Sequence, residues 1–165
     1  MVNEDKRLQA TSLLQEKLGD RVSTESSELF HASYDGLKIQ GNASACIEVD
    51  HAKQVGEVLK LAHEFQVPVT TKGAGSSLTG GATPIQGGWV LDLSKLNHLE
   101  LDKKNRIARC GPGVVVSNLQ SEAEKLGLFY PPDPSSKDFC TIGGNVACNA
   151  GGLRCVKYGV TRDYV

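Results

Sequence analysis

The stretch Lys72 to Gly81, KGAGSSLTGG, follows directly on the apolar run Val67-Pro68-Val69 and constrains the fold of this chain more than any other. Its glycines allow tight turns and let backbone N–H groups face an anion, which is how a phosphate cradle is built. A flexible Gly/Ser linker has the same composition, so on these residues alone both readings stand. The 165 residues suit one domain with a real core, and hydrophobic residues at 39% with charged residues at 22% are ordinary for a globular chain. Glycine, at 18 residues, is the only anomaly.

Charge and cysteine usage exclude several classes of function. Lys and Arg number 18 against 19 Asp and Glu, and a net charge of −1 gives no broad footprint for nucleic acid or an anionic membrane surface. A phosphate recognised by this chain must therefore be held locally. No apolar run is long enough to span a membrane, and the charged N-terminal stretch lacks a signal-peptide core, so a cytoplasmic location is expected. The five cysteines (Cys46, Cys110, Cys140, Cys148, Cys155) are never spaced C-x-x-C, which disfavours zinc and iron–sulfur sites and predicts reduced, mostly packed thiols.

Periodicity then orders the chain. Asn3 to Leu18 reads as a helix with Leu8, Leu14 and Leu18 on one face and Gly19 as its stop; the polar Asp20 to Asn42 reads as an entry loop. Ala43 to Val49 reads as a strand, and Asp50 as the N-cap of a helix whose apolar residues are Val55, Val58, Leu59, Ala62 and Phe65. Val67 to Thr71 is a second strand, which completes a βαβ order and places the glycine loop at a strand's carboxyl end, where α/β sheets bind ligands. Gly87 to Leu93 forms a turn and strand, and Leu99 to Cys110 a hairpin around Asp102 to Asn105. Ser117 and Gln120 have the spacing of a capping box, on a helix with Val116, Leu119, Ala123 and Leu126 on one face and Gly127 at its end. The prolines of Tyr130-Pro131-Pro132-Asp133-Pro134 hold the chain extended. A second glycine cluster follows, TIGGNVACNAGG from Thr141 to Gly152, with Asn145 and Asn149 as amide donors and acceptors.

Neither common phosphate motif fits the first cluster. A dinucleotide fingerprint beginning at Gly73-x-Gly75 would need its third glycine where Leu78 stands, and a Walker loop needs Gly-Lys-Ser/Thr, whereas Lys72 precedes the glycines. Taken together, PVTTKGAGSSLTGGATP, PPDPSS and TIGGNVACNAGGLRCVKYGVTRDYV resemble the FAD-binding domain of the vanillyl-alcohol oxidase and p-cresol methylhydroxylase type. Within it, the likeness is greatest to the D-lactate dehydrogenase and glycolate oxidase branch. The resemblance covers Phe30 to Val165.

It implies an α/β fold, with a small parallel βαβ sheet and flanking helices followed by the start of an antiparallel sheet. Residues 1–42 would be the N-terminal helix and entry loop, and 43–165 an FAD-binding domain truncated at its C-terminal end, with the substrate domain absent. By the same resemblance Gly73, Ala74, Gly75, Ser76 and Ser77 would present donors to the FAD pyrophosphate, while Gly80, Gly81 and Ala82 close the pocket. Lys72 stands where arginine is usual, keeping the charge without the planar fork. Pro132, Asp133, Ser135, Thr141, Gly143, Gly144, Asn149 and Gly152 would form a second wall near the flavin ring and ribityl chain. Some relatives bind flavin covalently through histidine or cysteine. Here His31, His51, His63 and His98 lie outside both clusters, and Cys140 and Cys148 read as packed thiols, so noncovalent FAD is expected.

The implied reaction is oxidation of a small 2-hydroxy acid such as D-lactate or glycolate, by hydride transfer to the flavin. No catalytic residue and no metal site is assigned within this chain; a missing C-terminal half or a second subunit would supply the base and the substrate pocket. The alternative is a stand-alone, noncatalytic flavin or nucleotide-binding module, or a subunit of a split enzyme.

Overall fold

The computed structural model describes residues 4–165, in two compact units, the first ending at Lys95 and the second running Leu96–Val165. The first unit opens with α1 (Glu4–Leu18), which ends at Gly19 with φ +58 and passes through a short 3-10 turn. Asn3, placed at the start of this helix by periodicity, lies outside the described residues. Next come β1 (Val22–Ser23), α2 (Ser26–Ala32), β2 (Ala45–Glu48), α3 (Ala52–Phe65), β3 (Val69–Lys72) and β4 (Trp89–Asp92).

The strands form one sheet in the order β1-β2-β4-β3, with β2, β4 and β3 parallel and β1 antiparallel to β2. The βαβ order holds, but β2 and β3 are not neighbours, because β4 inserts between them with Trp89 level with both Ala45 and Val69. β4 is one of the two inner strands, and its Trp89, Val90 and Leu91 are all fully buried, as a strand covered on both faces requires. Trp89 Nε1 donates to Thr11 Oγ1 at 2.9 Å, so the buried face of α1 is Ala10, Thr11 and Leu14, while Leu8 is exposed. On the opposite face, Val90 packs with Ala32 and Ala43, beside Leu29 and Cys46.

Two local expectations for this unit differ from the structure. The segment 20–42 is not one loop, since it contains β1 and α2; α2 buries only Ala32, so no apolar period marks it. His51, not Asp50, occupies the N-cap position of α3. The Gln54 side chain accepts from the N–H of both Asp50 and His51, while the Asp50 carboxylate pairs with Arg21.

In the second unit, β5 (Leu99–Asp102) and β6 (Ile107–Cys110) form the antiparallel hairpin expected, with Asn105 bonded to the Asp102 carboxylate in the turn. α4 (Val116–Lys125) buries Val116, Leu119 and Ala123 and gives way at Gly127, φ +73. The capping box does not form, because α4 begins one residue before Ser117, at Val116. Gln120 instead reaches out of the helix, and its Nε2 donates to the carbonyls of Tyr130 at 3.3 Å and Pro132 at 2.8 Å. That amide fastens the extended proline segment. The unit closes with α5 (Ile142–Cys148), α6 (Cys155–Tyr158) and a 3-10 turn over Thr161–Tyr164. The five cysteines are free thiols.

Candidate functional site

The first glycine cluster leaves the carboxyl end of β3 as an irregular loop, as its composition and position predict. Gly75 has φ +64 and Gly80 φ +76, conformations that L side chains rarely adopt. Among the described residues, no acceptor is paired with the backbone N–H of Gly73, Ala74, Gly75 or Ser76. Ser77 Oγ is bonded to Thr79 Oγ1 at 2.8 Å, Gly81 and Ala82 continue the loop, and the buried Thr83 Oγ1 at its end has no partner. Four consecutive unpaired donors beside a strand terminus are the chemistry that a pyrophosphate needs.

Lys72 does something else. Its Nζ donates to the carbonyls of His31 at 2.8 Å, Ala32 at 3.2 Å and Tyr34 at 2.7 Å, so the three ammonium hydrogens have three acceptors at the C-terminal end of α2. Burial holds its pKa below the ordinary lysine value, opposed by Cys46, Asp92 and Asp35 nearby. Sequence reasoning missed the partners of this loop altogether. Gly36 lies so close that a Cβ there would stand 2.8 Å from the carbonyl oxygens of both Ser76 and Ser77. The Tyr34-Asp35-Gly36 turn was visible as a turn signal, but nothing in it announced a contact with residues forty positions away.

On the same side of the sheet as α2, an open groove of about 830 Å³ is lined by residues that include Arg21, Glu28, His31, Cys46, Glu48, Lys72 and Asp92. Of the sequence-predicted site residues it contains Lys72 alone. Burial, reinforced by Asp92 and Glu28, pushes the Cys46 thiol up to about 11, so at neutral pH it is a protonated thiol. No group of three or more His, Cys, Asp or Glu among the described residues is arranged to hold a metal ion.

The second cluster, in the other unit, is a helix with its flanks rather than an open loop. Thr141 is the N-cap of α5, its Oγ1 accepting from Gly144 N at 3.4 Å. The N–H of Ile142, Gly143 and Asn145 go to the carbonyls of Val114, Pro112 and Thr141. Asn149 ends α5 with φ +48, and its Oδ1 accepts from the N–H of Arg162 at 3.1 Å. Pro132 is buried. Asp133 forms a bridge with Gly152, and its carboxylate is held by Lys137 at 2.9 Å and Arg154 at 3.5 Å. The Lys137 contact, with Arg154 adding to it, lowers the Asp133 pKa. Ser135 is exposed. The structure thus brings Asp133, Thr141, Gly143, Gly144, Asn149 and Gly152 into one unit but gives most of their polar groups internal partners.

The comparisons with known proteins agree with this geometry. A family model described as an FAD binding domain matches residues 43–165. The chain is 46% identical over 147 residues to a D-lactate dehydrogenase of Anaerostipes hadrus, covering 87% of this chain and 30% of that protein. It is 44% identical over 135 residues to the glycolate oxidase subunit GlcD of Bacillus subtilis, covering 81% of this chain and 29% of the relative. The chain therefore spans about a third of the length of these relatives. Among solved structures, an alkyldihydroxyacetonephosphate synthase superposes with a TM-score of 0.83 at 21% identity, over 94% of this chain and 32% of that one. A p-cresol methylhydroxylase with substrate bound gives 0.78 at 24% identity, over 90% and 30%. These two likenesses show the fold. No helix among the described residues is long and apolar enough to cross a membrane.

Proposed function

Because this chain belongs to the FAD binding domain family, related to D-lactate dehydrogenase and glycolate oxidase, we propose that it holds FAD noncovalently for the oxidation of a small 2-hydroxy acid. The observation that carries the reading is the run of four N–H groups, Gly73 to Ser76, that meet no acceptor among the described residues at the carboxyl end of β3. They would hold the pyrophosphate, with Ser76 and Ser77 adding hydroxyl donors and Gly80 to Ala82 closing the loop. Residues of the second unit, from Pro132 and Asp133 through Ser135, Thr141, Gly143, Gly144 and Asn149 to Gly152, would face the ribityl chain and ring.

FAD, when bound, supplies a two-electron acceptor, which for a 2-hydroxy acid means accepting the α-carbon hydride. This chain's own part is to bind and orient: its loops offer amides and hydroxyls, and no side chain in them is poised as a general base. A base and a carboxylate-binding cation for the substrate would come from polypeptide beyond these residues or from a second subunit. For this chain the reading includes a cytoplasmic location, on its balanced charge and short apolar runs.

The test is reconstitution of the chain with FAD and, separately, FMN. FAD should raise the melting temperature and show a bound-flavin spectrum, FMN should do neither to the same extent, and acid precipitation should release the flavin into the supernatant. Equal effects of FAD and FMN would remove the pyrophosphate assignment, and flavin remaining with the pellet would remove the noncovalent one. A stand-alone, noncatalytic flavin module differs in one result only: 2-hydroxy acids would fail to bleach the flavin even when the remaining two-thirds of a relative's length is supplied.

A further inference from the structure

We propose that residues 31–42 are a positioning brace that sets the conformation of the glycine loop before any ligand arrives, with Lys72 as its fastening point and not a phosphate ligand. Three contacts along the loop, all inside the first unit, support this. At the start of the loop, Lys72 Nζ is shared among the carbonyls of His31, Ala32 and Tyr34, which ties the last residue of β3 to the end of α2. In the middle, Gly36 sits against the carbonyls of Ser76 and Ser77, closer than any residue with a Cβ could come. At the far end, Asn42 N donates to Pro84 O at 3.0 Å, and Gly41 lies against the same carbonyl.

The brace is itself fixed. Asp35 is 2% exposed and its Oδ1 accepts from Leu37 N at 2.9 Å, while Ser33 is pinned by Gly41 N on its carbonyl and Ala43 N on its hydroxyl. Contacts at Ser76 and Ser77 turn those carbonyls toward Gly36. The loop's N–H groups are thereby left for the other side, so the donors are organised in advance and ligand binding need not order them. A cation that gives all its hydrogens to a helix terminus has none for a pyrophosphate, which is why Lys72 acts through the loop.

Hydrogen exchange on the unliganded 165-residue chain tests this, with amides of α3 as the internal control for folding. Lys72→Met and Gly36→Ala should each raise exchange by roughly tenfold or more at the brace and loop amides that have acceptors, Gly41, Asn42, Thr79 and Thr83, while α3 stays protected, and Lys72→Arg should restore most of the protection. A second arm measures affinity for ADP, and this arm rests on the FAD reading: both variants should lose roughly tenfold, with Lys72→Arg near the parent. Unchanged exchange at Gly41, Asn42, Thr79 and Thr83 in Lys72→Met and Gly36→Ala overturns the brace, even where ADP binding is weakened, since that pattern is the one a direct phosphate ligand gives. If the parent chain binds neither ADP nor FAD, the FAD reading fails, and the exchange arm still decides the brace. Should Gly36→Ala lose protection in α3 as well, Lys72→Met alone settles the question.

Discussion

Among the described residues, the N–H groups of four consecutive residues, Gly73 to Ser76, find no acceptor after β3, whereas those of Ile142 to Asn145 in the second cluster all do. Both stretches are rich in glycine and small residues, yet glycine has a different job in each. In the loop after β3 it permits positive φ and leaves the donors open. In the second cluster it permits one part of the chain to touch another: a Cβ on Gly143 would stand 2.6 Å from Pro112 Cβ, and one on Gly152 would run into the Asp133 carbonyl. Glycine content therefore signals close approach, but the approaching group can be a ligand or the chain's own backbone, and only the fate of the N–H groups separates the two.

Substitution at Gly152 breaks this comparison most sharply. Its φ is +123 and the bridge to Asp133 leaves no room for a methyl group, so Gly152→Ala should lower unfolding free energy by about 2–4 kcal/mol in the complete absence of flavin. Urea titration of the free chain measures it. An unchanged midpoint together with weakened FAD binding would show that the second cluster is open to the cofactor in the same sense as the first.

Gly75→Val should behave in the opposite way. The strained φ, together with pressure on the Lys72 side chain that is bonded to His31, Ala32 and Tyr34, costs the free chain about 1–3 kcal/mol, whereas the FAD-dependent rise in melting temperature should disappear. Retention of that rise would mean that the loop after β3 does not hold the pyrophosphate.

A smaller effect is expected at the cap of α5. Thr141 is 4% exposed, but its Oγ1 accepts from Gly144 N at the long distance of 3.4 Å. Thr141→Ala should thus cost about 0.5 kcal/mol, the low end for an N-cap, and Thr141→Ser should recover it in the same urea titration. A loss several times larger, present only with FAD bound, would make Thr141 a cofactor contact.

Much of the fold was legible because it follows from period. The alternation of Ala45, Ile47 and Val49, the apolar face of α3, and the β5–β6 hairpin were all readable from spacing. What escaped was set by contacts distant in sequence. The insertion of β4 between β2 and β3 is a pairing that no local pattern encodes. α2 escaped because it buries only Ala32 and leaves Phe30 more than half exposed, so its sequence has no face. Lys72 was legible as a cation beside a glycine loop, but its direction was not, since the carbonyls that claim it lie on α2 and the turn after it. Gln120 has cap spacing from Ser117, yet its amide is used by Tyr130 and Pro132, whose free carbonyls follow from the missing ladder of a proline segment.

The smallest effect is a pH dependence that belongs to the second cluster alone. The Asp133 carboxyl is held below the ordinary value of about 3.9 by its contact with Lys137, with Arg154 adding to it. A carboxyl with a depressed folded pKa contributes stability that is present above about pH 3.9 and is lost as pH falls through the lower folded value. The Lys137 and Arg154 side chains are 36% and 40% exposed, so solvent screens the pair and the contribution should stay at about 0.2–0.4 kcal/mol. Asp133→Asn should therefore flatten the acid limb of a stability-versus-pH curve measured without flavin, and raised salt should flatten the parent's limb in the same way. If the two curves instead coincide without FAD and diverge only with it, Asp133 serves the cofactor, and the contrast between an open first cluster and a closed second one fails at this residue.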